Sequence, residues 1–321
     1  EGPIVKDKAS FILSGRRSYI DLLVPSDSPL KPYFYDVNAK INARIGEKDR
    51  IFLSFYNGRD EIDIFDGLFK WNWGNQTTSL RWNHILNDKV FNNLTLIYSN
   101  FDYENVQDIP GFGVNWTANL RQYSIKDQVE FYLNPSNTMV FGFEGSYREF
   151  APGEFKPLND DSFLAAKLEE LQALEAAAFF SNKHTISPKL SLEYGIRFSH
   201  FSQLGPATIY EYEEFEDERL NPTAQRTDTL VFSSGVIKSF WNPEPRFSAR
   251  YMLTGHSSVK FSYNRMVQYV HQMVTGTSPL PIAVWQPSSY HIDPQKADQV
   301  AAGYFHNFQE NMYETSAEVY Y

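Results

Sequence analysis

Cysteine is absent from all 321 residues, which excludes a disulfide framework and thiolate metal sites. Also missing is any apolar run of about 18 residues, so no helix of this chain spans a membrane. The seven histidines, His84, His184, His200, His256, His271, His291 and His306, stand singly rather than at metal-ligand spacing. There is no glycine-rich phosphate loop, no G-x-S-x-G elbow and no cofactor-binding motif, and no pair of carboxylates is singled out for acid–base catalysis. Lys and Arg number 29 against 39 Asp and Glu, and the formal charge of -10 argues against a nucleic-acid surface. What the chain has in abundance is aromatic residues: 26 Phe, 20 Tyr and 6 Trp.

These residues sit in long segments of period two. Over 33–45, Tyr33, Tyr35, Val37, Ala39, Ile41, Ala43 and Ile45 alternate with Phe34, Asp36, Asn38, Lys40, Asn42 and Arg44. An ordinary strand has about 5–6 residues, whereas a tilted membrane-crossing strand needs about 9–11. A strand this long, apolar on one face and ionic on the other, suits a wall between lipid and water. The mean hydropathy of -0.44 is compatible with this, because only alternate residues touch lipid. The same alternation runs through 190–203 and 312–321. Aromatic clusters near strand ends, such as Trp71 with Trp73 and Tyr320 with Tyr321, fit girdles at two interfaces.

The turns fall into two classes that alternate. Short polar turns lie at 6–8, 46–49, 87–89, 134–137, 187–189, 254–257 and 309–311, and long loops at 21–32, 58–72, 105–117, 150–172, 204–243 and 272–295. That asymmetry predicts an all-β fold: an antiparallel up-and-down transmembrane β-barrel, partial, with about 13 strands, tight turns at one rim and long loops at the other. Residues 161–174 (D-S-F-L-A-A-K-L-E-E-L-Q-A-L) predict one helix within a loop. Strand 91–104 changes its apolar face part-way, which predicts either a bulge or a register other than the one the alternation suggests. Arg265 falls in the apolar row of 258–271, so it belongs near the upper rim or after a bulge.

The ionic rows carry Asp36, Lys40, Arg44, Lys126, Gln128, Glu130, Arg246, Arg250, Lys260 and Asn264, which point into a wet lumen. Glu211, Glu213, Glu214, Glu216, Asp217 and Glu218 form an acidic run in the longest loop. It lacks calcium-loop spacing and reads as a solvated surface rather than a cation site. Arg16-Arg17 is a basic pair placed to meet either lipopolysaccharide phosphate or a lumenal domain.

The strings E-G-P-I-V-K-D-K-A-S-F-I-L-S-G-R-R-S-Y-I-D-L-L (1–23), P-E-P-R-F-S-A-R-Y, F-S-Y-N-R-M-V-Q-Y-V-H, I-D-P-Q-K-A-D-Q-V and G-Y-F-H-N-F-Q-E-N-M-Y-E-T-S-A-E-V-Y-Y resemble barrel strands of TonB-dependent outer-membrane transporters, and most of all the Bacteroidota-type proteins with a carboxypeptidase-like extension. The resemblance implies a barrel of about 22 strands around an N-terminal plug. Such a transporter imports a scarce nutrient (a siderophore, glycan, peptide or cobalamin) on energy delivered by TonB, without enzymatic activity or a cofactor. Residues 1–321 would then be a partial barrel, with the plug domain, the TonB-contacting region and the C-terminal strands outside it. Its partners would be outer-membrane lipid and lipopolysaccharide, the plug, TonB and a surface lipoprotein. The resemblance also implies that Trp285-Gln286-Pro287-Ser288-Ser289 folds near the barrel mouth. There Trp285, Tyr290 and Asn264 are candidate ligand contacts, while Asp36, Lys40, Arg44, Lys126, Glu130, Arg246, Arg250 and Lys260 face the plug. Two other readings stay open on the residues alone: a soluble all-β carbohydrate-binding or hydrolytic protein, and a passive outer-membrane porin.

Overall fold

The computed structural model describes residues 1–25, 28–158, 165–212, 226–274, 283–308 and 312–321. In chain order, β1 (Gly2–Val5) and β2 (Ala9–Arg17) precede a single helical turn, α1 (Ile20–Leu23). Then come β3 (Leu30–Ile45), β4 (Asp49–Ile64), β5 (Phe69–Asn87), β6 (Val90–Ile109), β7 (Phe112–Asn134) and β8 (Asn137–Pro157). These are followed by β9 (Ala166–Lys167), β10 (Leu171–Thr185), β11 (Leu190–Leu204), β12 (Ala207–Tyr212) and β13 (Arg226–Phe232). The chain ends with β14 (Val236–Met252), β15 (Ser257–Gln268), β16 (Val270–Val274), β17 (Ala283–Pro287), β18 (Gln295–Phe308) and β19 (Tyr313–Tyr320). Fifteen strands form one antiparallel meander from β1 to β19, with β9 attached to β8, while β12–β13 and β16–β17 are separate hairpins. Among the described residues the first and last strands do not pair with each other, so the sheet is an open portion of a barrel.

Cross-strand register shows what each face is. Residues directly opposite in an antiparallel pair share a face. Phe11, Ile41, Leu53, Leu80, Leu96, Ile125 and Gly145 oppose one another in succession across β2 to β8, and most of these side chains are exposed. Above this row Tyr98, Tyr123 and Tyr147 stand side by side, with ring centroids 5.3 and 6.4 Å apart. One step further Arg121 pairs with Glu149 at 2.9 Å. Apolar belt, aromatic girdle and then charge is the profile of a bilayer-facing wall. The opposite face carries the ionic residues, and among the described residues it holds the packed core: Phe150, Ala173, Phe201 and Tyr269.

The thirteen long strands expected from the alternation all form, as β2 to β8, β10, β11, β14, β15, β18 and β19. Six of the seven short turns fall between strands, and the seventh, 309–311, lies outside the described residues. Three expectations are corrected. No helix occupies the described part of 161–174: residues 171–174 begin β10, where Ala173 and Glu175 point to the ionic face and Leu174 to the apolar one, so period two overrides helical propensity. Residues 159–164 lie outside the described residues.

Segments 58–72 and 105–117 are strand rather than loop. β4 and β5 run on to a turn at 65–68, with Ile62 opposite Trp71, Ile64 opposite Phe69 and Glu61 bonded to Lys70 at 3.0 Å. Phe65 and Asp66 accept positive φ there, and the Gly67 amide donates to Asp63 Oδ1 at 2.6 Å. Similarly, β6 and β7 meet at a two-residue turn around Gly111. Nor does β6 bulge within 91–104: its pairing with β7 is unbroken, and Ile97 and Phe101 simply sit on the inner face. Arg265 also needs no bulge. It lies directly opposite Asp298, which it grips with two nitrogens at 2.8 and 2.9 Å, so its charge is neutralised near the upper end of the strand.

Candidate functional site

Five neighbouring strands build a continuous ion network on the inner wall. Period two brings Lys126 of β7, Glu144 and Arg148 of β8, Glu175 of β10, Arg197 of β11, and Glu244 and Arg246 of β14 onto one face. Arg197 is the hub. Its Nε donates to Glu244 Oε1 at 3.2 Å, its Nη2 to Glu175 Oε1 at 3.0 Å, and its Nη1 contacts Glu144 across the intervening β10. Arg148 donates to Glu175 Oε2 at 2.8 Å and to Gln122 Oε1 at 2.8 Å. Lys126 approaches Glu144 at 3.8 Å and Arg246 approaches Glu244 at 3.8 Å. Glu244 is 3 % exposed, so its charge depends on Arg197. An open cleft of about 730 Å³ adjoins the network, with Lys126, Glu144, Arg197, Arg246 and Asn264 in its lining.

The described parts of the segment between β15 and β18, residues 269–274 and 283–294, fold inward over the upper part of this wall. Tyr269, at the start of the β16–β17 hairpin, lies flat on Phe201 with centroids 4.9 Å apart and planes 5° apart. Its hydroxyl accepts from Asn242 Nδ2 at 2.8 Å and bonds Ser199 Oγ at 2.8 Å. Trp285 packs against the same core. His271 is buried, its Nε2 2.9 Å from Ser288 Oγ, and burial lowers the imidazole pKa. The Tyr290 amide donates to Gln203 Oε1 at 2.8 Å and its hydroxyl to Glu211 Oε1 at 2.7 Å, which raises the tyrosine pKa. Lys238 lies 5.6 Å from the Tyr290 ring. Trp285 and Tyr290 therefore belong to an infolded loop, each already engaged with the protein. Of the acidic run only Glu211 is described, and the rest lies outside the described residues.

The remaining sequence candidates all lie on the inner face but not in one place. Asp36 is buried and bonded to Arg16 and to Asn38 Nδ2 at 3.1 Å. Lys40 sits 5.7 Å from the Phe52 ring, and Arg44 lies opposite Arg50. Glu130 accepts from Gln128 at 3.3 Å and from the Tyr132 hydroxyl at 3.1 Å. Arg250 donates to the Met252 sulfur at 3.0 Å, and Lys260 lies 3.8 Å from the Phe305 ring. Of the sequence candidates, Lys126, Gln128, Arg246 and Asn264 gather at the cleft. Sequence reasoning missed Glu144, Arg148, Glu175, Arg197 and Glu244 as site residues. The signal was available in principle, since each is an ionic residue on the polar parity of its strand. Among the described residues no group of three or more His, Asp and Glu is placed to hold a metal ion.

A family described as "TonB dependent receptor-like, beta-barrel" matches residues 12–321. No curated protein matches the chain. Among solved structures it is similar to the copper transporter OprC, with 11% identity and a TM-score of 0.71 over 98% of this chain and 48% of that one. The ferric yersiniabactin uptake receptor FyuA of Yersinia pestis gives 13% identity and a TM-score of 0.68 over 99% and 50%. The ferric-catecholate import receptor Fiu of E. coli K12 gives 12% and 0.66 over 99% and 54%. The chain spans about half the length of these structures, which at such identities share its fold. Barrels of this kind lie in the outer membrane of Gram-negative bacteria, where the apolar belt meets lipid. This chain belongs to the TonB-dependent receptor β-barrel family.

Proposed function

We propose that this chain is the barrel wall of a TonB-dependent importer of a scarce nutrient such as a siderophore, glycan or peptide. The observation that carries the reading is the division of its faces: exposed Phe11, Ile41, Leu80 and Leu96 on one, and the Arg197 network on the other. A plug domain seated against the ionic face, further strands pairing with the free edges of β1 and β19, and coupling to TonB complete the transporter. The unpaired edges support that closure, because backbone groups in lipid must be bonded. Lipopolysaccharide at the outer girdle and a surface lipoprotein over the long loops are the partners consistent with this placement.

The test is fractionation and uptake with the full-length protein. It is expected in the outer membrane, folded only in detergent or lipid, and its cells should lose accumulation of the transported nutrient when TonB is deleted. A protein that stays folded and monomeric in plain buffer would overturn the reading.

A further inference from the structure

The bilayer-facing wall ends differently towards its two rims. On the long-loop side it closes with the row of Tyr98, Tyr123 and Tyr147. Towards the short turns, which in such barrels lie at the inner leaflet, three side chains of β4 and β5 make a polar niche on the same face. Asp49 shares the parity of Ile51 and Leu53 and lies directly opposite His84, while Ile51 lies opposite Trp82. Trp82 Nε1 donates to Asp49 Oδ1 at 2.8 Å, and His84 Nδ1 lies 2.7 Å from the same oxygen. The two rings stand 5.4 Å apart, centroid to centroid. One carboxylate oxygen thus holds both rings, and among the described residues no protein group bonds Asp49 Oδ2 or His84 Nε2. The contact places the proton of a neutral His84 ring on Nδ1, which leaves Nε2 as an acceptor. The Asp49 and His84 side chains keep 32% and 31% of their surface exposed, so both free atoms are within reach of a lipid. Asn92, opposite His84 on β6, gives its amide to Asp127 at 2.6 Å. Among the described residues no Lys or Arg forms an ion pair with Asp49, Lys48 of the adjoining turn included, although a charge facing the membrane is costly without a partner.

We propose that this niche is a headgroup site for an ethanolamine glycerophospholipid of the inner leaflet. A primary ammonium carries three N–H donors. Asp49 Oδ2 and His84 Nε2 are two acceptors for them, and the exposed Trp82 ring offers its face to the cation. A choline ammonium has no N–H to give, and a glycerol headgroup brings no cation, so the niche selects by hydrogen bonding and charge together. The acyl chain continues up the wall over Leu53, Leu80 and Leu96, which oppose one another in succession and are all exposed. The bound ammonium supplies the counter-charge that Asp49 lacks within the described protein. The inference needs only the bilayer placement of this wall and holds whatever nutrient the receptor imports.

The test uses the full-length receptor in detergent. Native mass spectrometry reads lipid retention, and the heat-dependent gel shift of the barrel reads its folding. The probes are dioleoyl phospholipids with ethanolamine, choline or glycerol headgroups. One ethanolamine lipid is expected to be held at least about tenfold more tightly than either competitor, the fold-change that one charge-assisted hydrogen bond supplies. Asp49→Asn keeps an acceptor oxygen for Trp82 and His84 but removes the charge, and it should abolish that preference. If D49N fails the gel-shift control, His84→Gln carries the measurement, with a smaller loss of preference expected. Equal retention of the three headgroups by the wild-type protein overturns the proposal and leaves the transporter reading intact. An ethanolamine preference that survives the substitution also overturns it, because the site then lies elsewhere. So does a preference for the glycerol lipid, which marks a cationic surface, or retention of lipopolysaccharide in place of the probes, which puts the contact in the opposite leaflet. A wild-type protein that stays folded and monomeric in plain buffer overturns the transporter reading and this proposal with it.

Discussion

The inner wall is built in two ways. From β7 to β14, Lys126, Arg148, Arg197 and Arg246 are interleaved with Glu144, Glu175 and Glu244, and each cation touches at least one of those carboxylates. From β3 to β5, Lys40, Arg44, Arg50 and Arg81 share a face whose other polar groups include Ser54, Ser79 and Asn83. Both stretches obey the same alternation, and both look equally "charged inside" in sequence. The first neutralises itself, so it holds neighbouring strands together whatever fills the lumen. Among the described residues the second does not, so its charges stay open to the lumen. Lumenal polarity is therefore two properties, structural cement and recognition, and only side-chain pairing separates them.

The largest effect that sharpens this contrast is expected at Arg197. Arg197→Ala removes the hub and leaves Glu244 buried beside two further carboxylates. Breaking a buried pair from one side costs roughly 3–5 kcal/mol, and because the Arg197 side chain keeps 18% of its surface exposed the lower end is expected. The midpoint of the barrel gel-shift transition should fall accordingly, and R197A/E244Q should recover part of the loss. An unchanged midpoint for R197A would show that the two stretches do not differ in kind.

A smaller effect is expected at the hairpin above the network. Tyr269→Phe keeps the stack on Phe201 but strips Asn242 and Ser199 of a shared partner, at about 1–2 kcal/mol of hairpin docking. Hydrogen exchange of residues 283–287 measures it. Docking should also depend on pH. His271 has its pKa lowered by burial, so the docked state binds fewer protons than the released one. Docking is then complete above a pH of about 6.5 and weakens as pH falls below it, and His271→Gln should flatten that profile. Exchange that is pH-independent in the wild-type protein would remove the buried imidazole from the account.

Much of the fold was legible because the barrel repeats one signal. In β3 the side chains of Val37, Ile41 and Ile45 are all exposed on the side away from Asp36, as period two requires. Illegibility came where local cues competed with that signal. Residues 171–174 carry helix formers, yet Leu171 and Ala173 fill the inner core while Leu174 is exposed on the other face. The stretch 58–72 is polar and includes glycines, yet Ile62 opposite Trp71 and Glu61 bonded to Lys70 extend the ladder beyond the apolar belt. The site was legible only as parity. Which ionic residues meet depends on register across five strands, so Glu144 reaching Arg197 over β10 has no signature in local spacing. The infolding of Tyr269 and Trp285 is likewise a long-range contact: alternation carries Tyr269 and His271 on in the lipid-side row of a strand 258–271, whereas that strand stops at Gln268 and both residues are buried on the inner side, with Trp285 in the following segment packed against the same core.

The smallest expected effect reverses the sign of the first. Arg44→Gln removes one member of a like-charge pair directly opposed across β3 and β4. In a barrel whose lumenal domain has been cut away by protease, at low salt, the gel-shift midpoint should therefore rise, by an amount equivalent to roughly 0.2–1 kcal/mol. In the intact receptor, with the lumenal domain proposed above in place, the same change should raise the midpoint less. A substitution that lowers stability in both forms would mean that Arg44 is cemented into the sheet as Arg197 is, by contacts the static wall does not display.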